Sequence, residues 1–221
     1  MNKILIVSPH PDDETLGCGG TILKHKTQGA EINWLIMTTL PLTKTQGDRY
    51  NVRQKEIEKV ASAYGFDNVF KLDFHTTELD VLPMNRIIDA VQPVLTTVQP
   101  QTIYLPNRND IHSDHMVTFD AVISAAKTFR FPCISKMMMY EVLSETDFAP
   151  SFVTNAFIPN SFSDISEYLE QKTAIMRVYE SELGTHPFPR SVEGIKSLAV
   201  LRGAAAGVTY AEAFMLLKEI W

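Results

Sequence analysis

The sequence predicts an α/β fold, Rossmann-like and three-layered, around a mostly parallel sheet. Short apolar runs alternate with longer segments of helical periodicity through the first half of the chain. Such alternation is typical of parallel strands joined by right-handed crossovers. The 221 residues are 45% hydrophobic and 21% charged, the balance of a globular protein with one buried core. We therefore expect residues 1–221 to form a single domain.

Each element of the first half carries its own signal. Lys3 to Val7 is an apolar run that ends before Pro9, as expected of a buried strand. Thr15 to Thr27 predicts a helix. In Asp48 to Tyr64, apolar residues recur at helical spacing, and Gly65 follows as a stop signal. The other predicted elements are strands at Ile32 to Thr38, Val69 to Phe74 and Thr102 to Leu105, and helices at Met84 to Val98 and about His115 to Phe129.

The second half of the chain is less regular. We predict strands at Lys136 to Leu143 and Phe152 to Ile158, and helices at Ser163 to Tyr179 and Val192 to Ala206. Ala213 to Ile220 is compatible with either a strand or a helix. No internal repeat, low-complexity stretch or long linker divides the sequence, which agrees with one domain.

Composition and charge argue against several classes of function. The formal net charge is −6, and Lys and Arg are scattered, so we expect no nucleic-acid partner. No apolar run approaches the ~20 residues of a transmembrane segment. Acidic residues follow the first strand almost at once, unlike a secretory signal. Cys18 and Cys133 are too few for a disulfide framework and suggest buried free thiols. We expect a cytoplasmic protein.

Polar residues cluster directly after the first predicted strand, where His10, Asp12, Asp13 and Glu14 stand close together. Adjacent carboxylates repel one another beside a buried strand unless a cation compensates their charge. Imidazole and carboxylate groups are donors that suit zinc and other divalent metals. A helix N-terminus would explain two of the acids, one as cap and one as partner of the helix dipole. It would not explain His10 or the remaining acid.

A second cluster follows the fourth predicted strand and contains Asp110, His112, Asp114 and His115. Nearby acids can orient imidazoles through the ring nitrogen that does not bind a metal. Either histidine alone would be interpreted as a surface residue. However, ligand sites in parallel sheets form beyond the carboxyl ends of the strands, where both clusters are expected. Their joint presence favours a metal site.

Together these motifs resemble the PIG-L or LmbE-like family of zinc-dependent N-acetylglucosaminyl deacetylases. The specific matches are P-H-P-D-D-E at Pro9 to Glu14, G-C-G-G-T-I at Gly17 to Ile22, and D-x-H-x-D-H at Asp110 to His115. Weaker matches are R-x-x-E at Arg53 to Glu56, Tyr179 to Ser181, and Tyr210 to Phe214. The resemblance covers nearly the whole chain and implies the LmbE-like form of the predicted fold. Related proteins are often trimers or hexamers, which leaves homo-oligomerisation open here.

The resemblance implies a metal site and a base. His10, Asp13 and His115 would bind Zn²⁺, or a substituting divalent metal, and leave one position open for water. Asp12 would be the general base that completes the deprotonation of this water, which attacks the acetamide carbonyl.

The resemblance also implies roles for residues around the metal. His112 would stabilise the tetrahedral oxyanion or protonate the leaving amine, and Asp114 would orient His112. Asp110 would hold its loop or contact the substrate. Arg53 is a candidate substrate contact, because its helix follows the second strand towards the same edge of the sheet.

Later segments suggest further contacts with the substrate. The segment from His186 to Arg190 and the pair Arg202-Gly203 resemble those of family members that act on glycans or sugar conjugates. His186 is therefore a candidate, and Arg190 or Arg202 could bind a phosphate or a sugar hydroxyl through its planar guanidinium. Glu180-Ser181-Glu182 departs from the Ser-Gln often found after the late tyrosine, which puts contacts of that region in doubt.

The predicted activity is removal of acetyl from an N-acetylglucosamine-type sugar or sugar conjugate, giving acetate and an amino sugar. Two alternatives are a hydrolase of another amide or ester on the same scaffold, and a non-catalytic, metal-containing sugar-binding protein. Asp12 favours an enzyme, because a binding protein needs no carboxylate beside a metal-bound water. The sequence leaves open whether the sugar is free, nucleotide-linked, lipid-linked, a small glycoside or a chitin fragment.

Overall fold

The computed structural model describes residues 2–41 and 47–221. Its strands are β1 (Lys3–Ser8), β2 (Glu31–Thr39), β3 (Asn68–His75), β4 (Thr102–Pro106), β5 (Lys136–Tyr140), β6 (Ser161–Asp164) and β7 (Ala211–Glu219). Its α-helices are α1 (Asp13–Thr27), α2 (Gly47–Tyr64), α3 (Met84–Val98), α4 (Ser113–Ala125), α5 (Leu169–Met176) and α6 (Val192–Ala206). Short 3-10 turns lie at Leu79–Val81 and Val153–Asn155.

The strands form one sheet in the order β3-β2-β1-β4-β5-β7-β6. Neighbours from β3 to β5 pair in parallel, whereas β7 is antiparallel to both β5 and β6. The chain builds outwards from β1 to β3 and then returns to place β4 on the other side of β1. The carboxyl ends of β1 and β4 therefore flank the crevice in which α/β sheets bind their ligands.

The sheet is buried between two layers of helices. Side chains along β1 alternate between them: Ile4 and Ile6 pack on the side of α1, α2, α5 and α6, whereas Leu5 and Val7 pack against α3 and α4. Because both faces are covered, consecutive residues from Ile4 to Val7 are apolar, as the sequence indicates. The predicted three-layer fold with a mostly parallel sheet is confirmed. None of the described helices is long and apolar enough to cross a membrane.

In the second half, the predicted helix Val192 to Ala206 is confirmed as α6, and other predictions need correction. Phe152 to Ile158 is not a strand: apart from a single 3-10 turn it has no regular structure, and its apolar side chains face solvent, with Val153 90% exposed. The predicted helix Ser163 to Tyr179 shortens to α5, because residues 161–164 pair with β7 instead. Pairing with a distant strand overrides local preference here. The ambiguous segment Ala213 to Ile220 belongs to strand β7.

Three smaller differences concern the ends of elements and the cysteines. Strand β5 ends at Tyr140 rather than Leu143, and helix α4 ends at Ala125 rather than Phe129. Both cysteines are free thiols; Cys18 is buried as expected, but Cys133 is partly exposed. The remaining elements of the first half begin and end within two residues of their predicted limits.

Candidate metal centre and active site

The two polar clusters meet at the carboxyl edge of the sheet. β1 and β4 are hydrogen-bonded neighbours, so the loops that follow them emerge side by side. The His10 ring centroid lies 4.4 Å from that of His112 and 5.4 Å from that of His115. Residues about a hundred positions apart in sequence thus form one site.

Three side chains offer a ready set of metal ligands. His10, Asp13 and His115 each present a donor atom within 4.8 Å of the other two. Asp13 Oδ2 lies 3.4 Å from both His10 Nδ1 and His115 Nε2. His115 Nε2 is buried and has no hydrogen-bond partner among the described residues. A buried ring nitrogen without a partner is costly unless an ion completes the site.

A second group of side chains, His10, His112 and Asp114, also has donor atoms within 4.8 Å of one another. The Asp114 carboxylate is already engaged, because it accepts hydrogen bonds from the backbone N–H groups of Thr77 (2.7 Å) and Leu79 (3.2 Å) and contacts His10 Nε2 at 3.0 Å. The first set therefore fits a divalent cation better.

In both candidate histidine ligands, a carboxylate contacts the ring nitrogen that does not face Asp13. Asp114 Oδ2 lies 3.0 Å from His10 Nε2, and Asp110 Oδ2 lies 2.8 Å from His115 Nδ1. Asp110 is itself fixed by hydrogen bonds from Asn107 Nδ2 at 2.7 Å and Thr146 Oγ1 at 2.6 Å. Partners of this kind set the tautomer and orientation of metal-binding imidazoles and raise their basicity.

The electrostatics of the site favour positive charge between the imidazoles. Burial lowers the pKa of His10, but contacts with Asp114 and Asp13 outweigh it and raise the pKa to about 9. Burial likewise opposes protonation of His115, yet Asp13 and Asp110 raise its pKa overall. Despite burial, the flanking histidines lower the pKa of Asp13. A divalent cation would supply the positive charge that this arrangement stabilises.

Asp12 stands beside the ligand set without belonging to it. Its backbone φ of 131° lies in a region that L-residues rarely adopt. The Asp12 carbonyl accepts the N–H of Leu16 at 2.8 Å, which starts helix α1. Burial, followed by the negative charges of Asp13 and Glu182, raises the pKa of Asp12 well above the usual range. The residue thus supplies a buried carboxylate with increased proton affinity.

Glu14 holds this strained turn in place. Its carboxylate accepts hydrogen bonds from the Asp12 N–H at 3.0 Å, the Thr15 hydroxyl at 2.6 Å and the Tyr179 hydroxyl at 2.9 Å. Burial raises the pKa of Glu14 to about 7, against the lowering effect of these bonds. The sequence suggests only a favourable contact with the helix dipole for Glu14, whereas the structure shows a brace for the loop.

His112 receives its orientation from the backbone of the second loop. His112 Nδ1 accepts a hydrogen bond from the Asp114 N–H at 3.1 Å, so the neutral ring carries its proton on Nε2. The Asp114 carboxylate is 3.9 Å from His112 Nδ1 and closer to His10. We expected this carboxylate to pair with His112, but in the structure it pairs with His10, a candidate metal ligand. Burial and the neighbouring His10 lower the pKa of His112 to about 4.

The ligand cluster opens into a pocket of about 260 Å³. The two clusters contribute His10, Asp12, Asp13 and His112 to its lining. Charged residues from elsewhere in the chain complete the lining. One is Arg53 of α2, and the other three are Glu145, Glu182 and Arg190. We call these last three residues the charged trio.

The predicted substrate contacts are only partly brought together. Arg53 lines the pocket. Asp110 is buried behind His115, where it holds the loop and the histidine. Arg202 lies beside another small cavity, with Nε and Nη2 donating to the Glu141 carboxylate at 2.7 and 2.6 Å. His186 is exposed and is not among the described residues that line the pocket.

Comparison with known protein families decides the classification. The PIG-L family, described as GlcNAc-PI de-N-acetylase, matches residues 5–126, which is more than half of the chain. The chain belongs to the PIG-L family. The match includes both polar clusters and Arg53, and it ends before the charged trio.

Relatives and solved structures extend this result. The chain is 26% identical to the diacetylchitobiose deacetylase of Thermococcus kodakarensis, covering 100% of this chain and 85% of that protein. It is 24% identical to a probable N-acetyl-alpha-D-glucosaminyl L-malate deacetylase 2 of Bacillus cereus, covering 81% and 83%. A conserved protein of Thermus thermophilus superposes with a TM-score of 0.78 at 26% identity, covering 100% and 97%. The N,N'-diacetylchitobiose deacetylase of Pyrococcus horikoshii shares the fold, with a TM-score of 0.79 at 24% identity, covering 98% and 84%.

Two members of the charged trio were missed by sequence reasoning. Glu145 follows β5, the parallel neighbour of β4, so the rule that sites form after strand ends would have indicated it. Glu182 appears in the sequence only as a departure from a family motif. Arg190 was considered only as an alternative to Arg202, and the structure places Arg190 at the pocket.

Proposed function

We propose that this chain is a metal-dependent N-deacetylase, which removes acetyl from an N-acetylglucosamine-type sugar or sugar conjugate to give acetate and an amino sugar. The observation that carries the proposal is the ligand set of the partly buried His10 and the buried Asp13 and His115, with the separate carboxylate of Asp12 beside it. Membership of the PIG-L family and the sugar deacetylases among its relatives support this reaction.

We propose zinc as the metal. Two imidazoles and one carboxylate form a donor set found in catalytic zinc sites that keep a position open, although other divalent ions accept the same donors. Asp110 and Asp114 would keep both imidazoles in the ligating orientation. The bound ion would polarise the acetamide carbonyl and lower the pKa of a water.

Asp12 would act as the general base. Its carboxylate lines the pocket next to Asp13 and is left out of the ligand set. It can therefore accept a proton from the water as the new C–O bond forms. The Glu14 hydrogen bond to the Asp12 backbone keeps this carboxylate at the pocket.

His112 would stabilise the negative charge that develops on the carbonyl oxygen. Because Nδ1 is engaged by the Asp114 N–H, the Nε2–H of the neutral ring is the available donor. Collapse of the tetrahedral species breaks the C–N bond, and the proton held by Asp12 can pass to the leaving nitrogen. Acetate and the free amine are the products.

The test is acetate release from N,N'-diacetylchitobiose and from other N-acetylglucosaminides. Protein stripped with a chelator should lose activity, and stoichiometric zinc should restore it at about one ion per chain. Full activity in metal-free protein would refute the mechanism. Acetate release from O-acetyl esters but from no N-acetyl sugar would favour the alternative hydrolase. Zinc binding with no hydrolysis would favour a sugar-binding protein. A single domain, a cytoplasmic location and a trimeric or hexameric assembly stay predictions.

A further inference from the structure

Two arginines line the pocket, and their guanidinium groups are used very differently. Arg53 is 7% exposed, and the protein itself occupies its donors. Nη1 donates to the Pro11 carbonyl at 2.9 Å, and Nη2 donates to Ser181 Oγ at 3.0 Å and to the Glu182 carboxylate. Nε lies 3.3 Å from Glu56 Oε2. Arg53 thus braces the first polar loop against the segment that follows α5.

Arg190 has only long contacts with the charged residues that the structure describes. Its Nη1 lies 3.6 Å from Asp12 Oδ2, and its Nη2 lies 3.3 Å from Glu182 Oε2. Charge-assisted hydrogen bonds are typically ~2.7–2.9 Å long. Its Nε is buried and has no hydrogen-bond partner within residues 2–41 and 47–221. A buried donor without a partner is costly in the free protein, and an acceptor on a bound ligand would remove that cost. Arg190 therefore has hydrogen-bonding capacity left for a ligand in the pocket.

The backbone around Arg190 is well fixed. The Arg190 carbonyl accepts the N–H of Gly184 at 2.9 Å. The next residue, Ser191, caps helix α6 by accepting the N–H of Gly194 at 3.0 Å. The Phe188 ring lies 5.7 Å from Arg190 Cζ, within range of a cation–π contact. A donor held on a capped helix end is preorganised for binding.

The charge around Arg190 favours a neutral ligand. Asp12 and Glu182 already face its guanidinium, and Glu145 adds a further carboxylate to the same pocket. Among the described contacts, the Glu145 side chain accepts only the Ser144 hydroxyl, at 3.2 Å. An anionic group at Arg190 would lie beside the side chains of Asp12 and Glu182, whereas a neutral sugar hydroxyl can accept a hydrogen bond from Arg190. Other hydroxyls of the same sugar can donate to carboxylates of the pocket such as Glu145.

We infer that Arg190 binds the substrate and determines its class, by donating hydrogen bonds to hydroxyl oxygens of a neutral N-acetylglucosaminide. This inference rests on the proposed function for the presence of the acetylated sugar. Contacts to hydroxyls away from the acetamide are the same in the ground state and the transition state. Loss of Arg190 therefore raises KM more than it lowers kcat.

The experiment compares the zinc-loaded wild type, Arg190→Gln and Arg190→Lys in acetate release from N,N'-diacetylchitobiose. Arg130→Gln is the matched control, because Arg130 is exposed and precedes β5, at the opposite edge of the sheet. Arg190→Gln should raise KM about tenfold or more, because a hydrogen bond that involves a charged group contributes about that factor to binding. Its kcat should stay within about threefold of the wild-type kcat. Arg190→Lys should also raise KM, because lysine lacks the planar guanidinium that donates several hydrogen bonds, although it keeps the positive charge. Thermal melting checks that each variant is folded.

Several results would overturn the inference. An unchanged KM in folded Arg190→Gln would do so, and a lower kcat at constant KM would show that Arg190 acts only through Asp12. A lower KM for N-acetylglucosamine 1-phosphate than for diacetylchitobiose would contradict the neutral class.

Calorimetric binding of diacetylchitobiose to Asp12→Asn, with and without Arg190→Gln, separates this inference from the proposed function. Weaker binding without Arg190 supports the inference even if the wild type releases no acetate. Equal binding by both variants overturns it.

Discussion

The two parts of the pocket differ in how firmly the chain fixes them. In the metal centre, carboxylates hold both candidate histidine ligands at 3.0 Å or less, and the backbone orients His112. In the charged trio, Arg190 has contacts of 3.3 Å and longer, and its Nε has no hydrogen-bond partner in the part of the chain that the structure describes. The residues proposed for bond cleavage are thus fixed by the protein itself, whereas Arg190, which we infer to bind the substrate, keeps hydrogen-bonding capacity for a ligand.

The largest expected effect at the metal centre is that of Asp12→Asn. We expect turnover to fall about 10² to 10⁴-fold, because the amide cannot accept the proton of the water. Metal content, measured by elemental analysis, should stay the same, since Asp12 is outside the ligand set. Loss of metal in this variant would instead exchange the roles of Asp12 and Asp13.

His112→Ala should have the next largest effect. Removal of one donor to a developing oxyanion typically slows turnover about 10² to 10³-fold. The ring of His112 is outside the favoured ligand set, so zinc should be retained. Single-turnover acetate release together with metal analysis measures both quantities. Metal loss would show that His112 is a ligand in place of His115.

Asp110→Asn tests the carboxylates behind the ligands. The amide cannot accept and stabilise His115 Nδ1–H as well as the carboxylate does, so we expect zinc affinity to fall about 10- to 100-fold. Competition with a chromophoric chelator gives the affinity. Asp120→Asn is a suitable control, because its carboxylate pairs with Arg108 outside the site. Equal affinities in the two variants would remove Asp110 from the metal centre.

Arg53→Gln should have the smallest effect of these variants and act mainly on the stability of the fold. It leaves the buried Pro11 carbonyl without its side-chain donor, which costs on the order of 1–3 kcal/mol. The partly exposed Glu182 carboxylate loses Arg53 but keeps its contact with Arg190. Denaturant unfolding measures this loss, and KM should rise less than in Arg190→Gln. A larger rise in KM than that of Arg190→Gln would assign the substrate contact to Arg53.

How much of the fold could be predicted depended on where the signals lie in the chain. In the first half, each strand and helix has its own local periodicity, and the helix Met84 to Val98 was predicted to the residue. In the second half, β6 owes its existence to pairing with β7, about fifty residues away, and no local pattern marks it.

The candidate site follows the same rule. His10, Asp13 and His115 belong to two compact motifs whose meeting follows from strand order, so they could be found before the structure. The partner of Asp114 could not, because Asp114 is close to His112 in sequence and close to His10 only in the folded chain. Arg190 and Arg202 were equal candidates in the sequence. The folded chain separates them, because Arg202 pairs with Glu141 beside another cavity whereas Arg190 lines the pocket.

The unusual backbone conformation of Asp12 implies a conflict between thermal stability and the proposed activity. A φ of 131° in a residue with a side chain costs on the order of 1–3 kcal/mol. Glycine adopts this conformation freely, so a chain with glycine at this position should melt at a higher temperature and carry out no hydrolysis. Under the proposed mechanism, selection for thermal stability alone would therefore tend to remove the general base, and any engineering of stability should keep Asp12 unchanged.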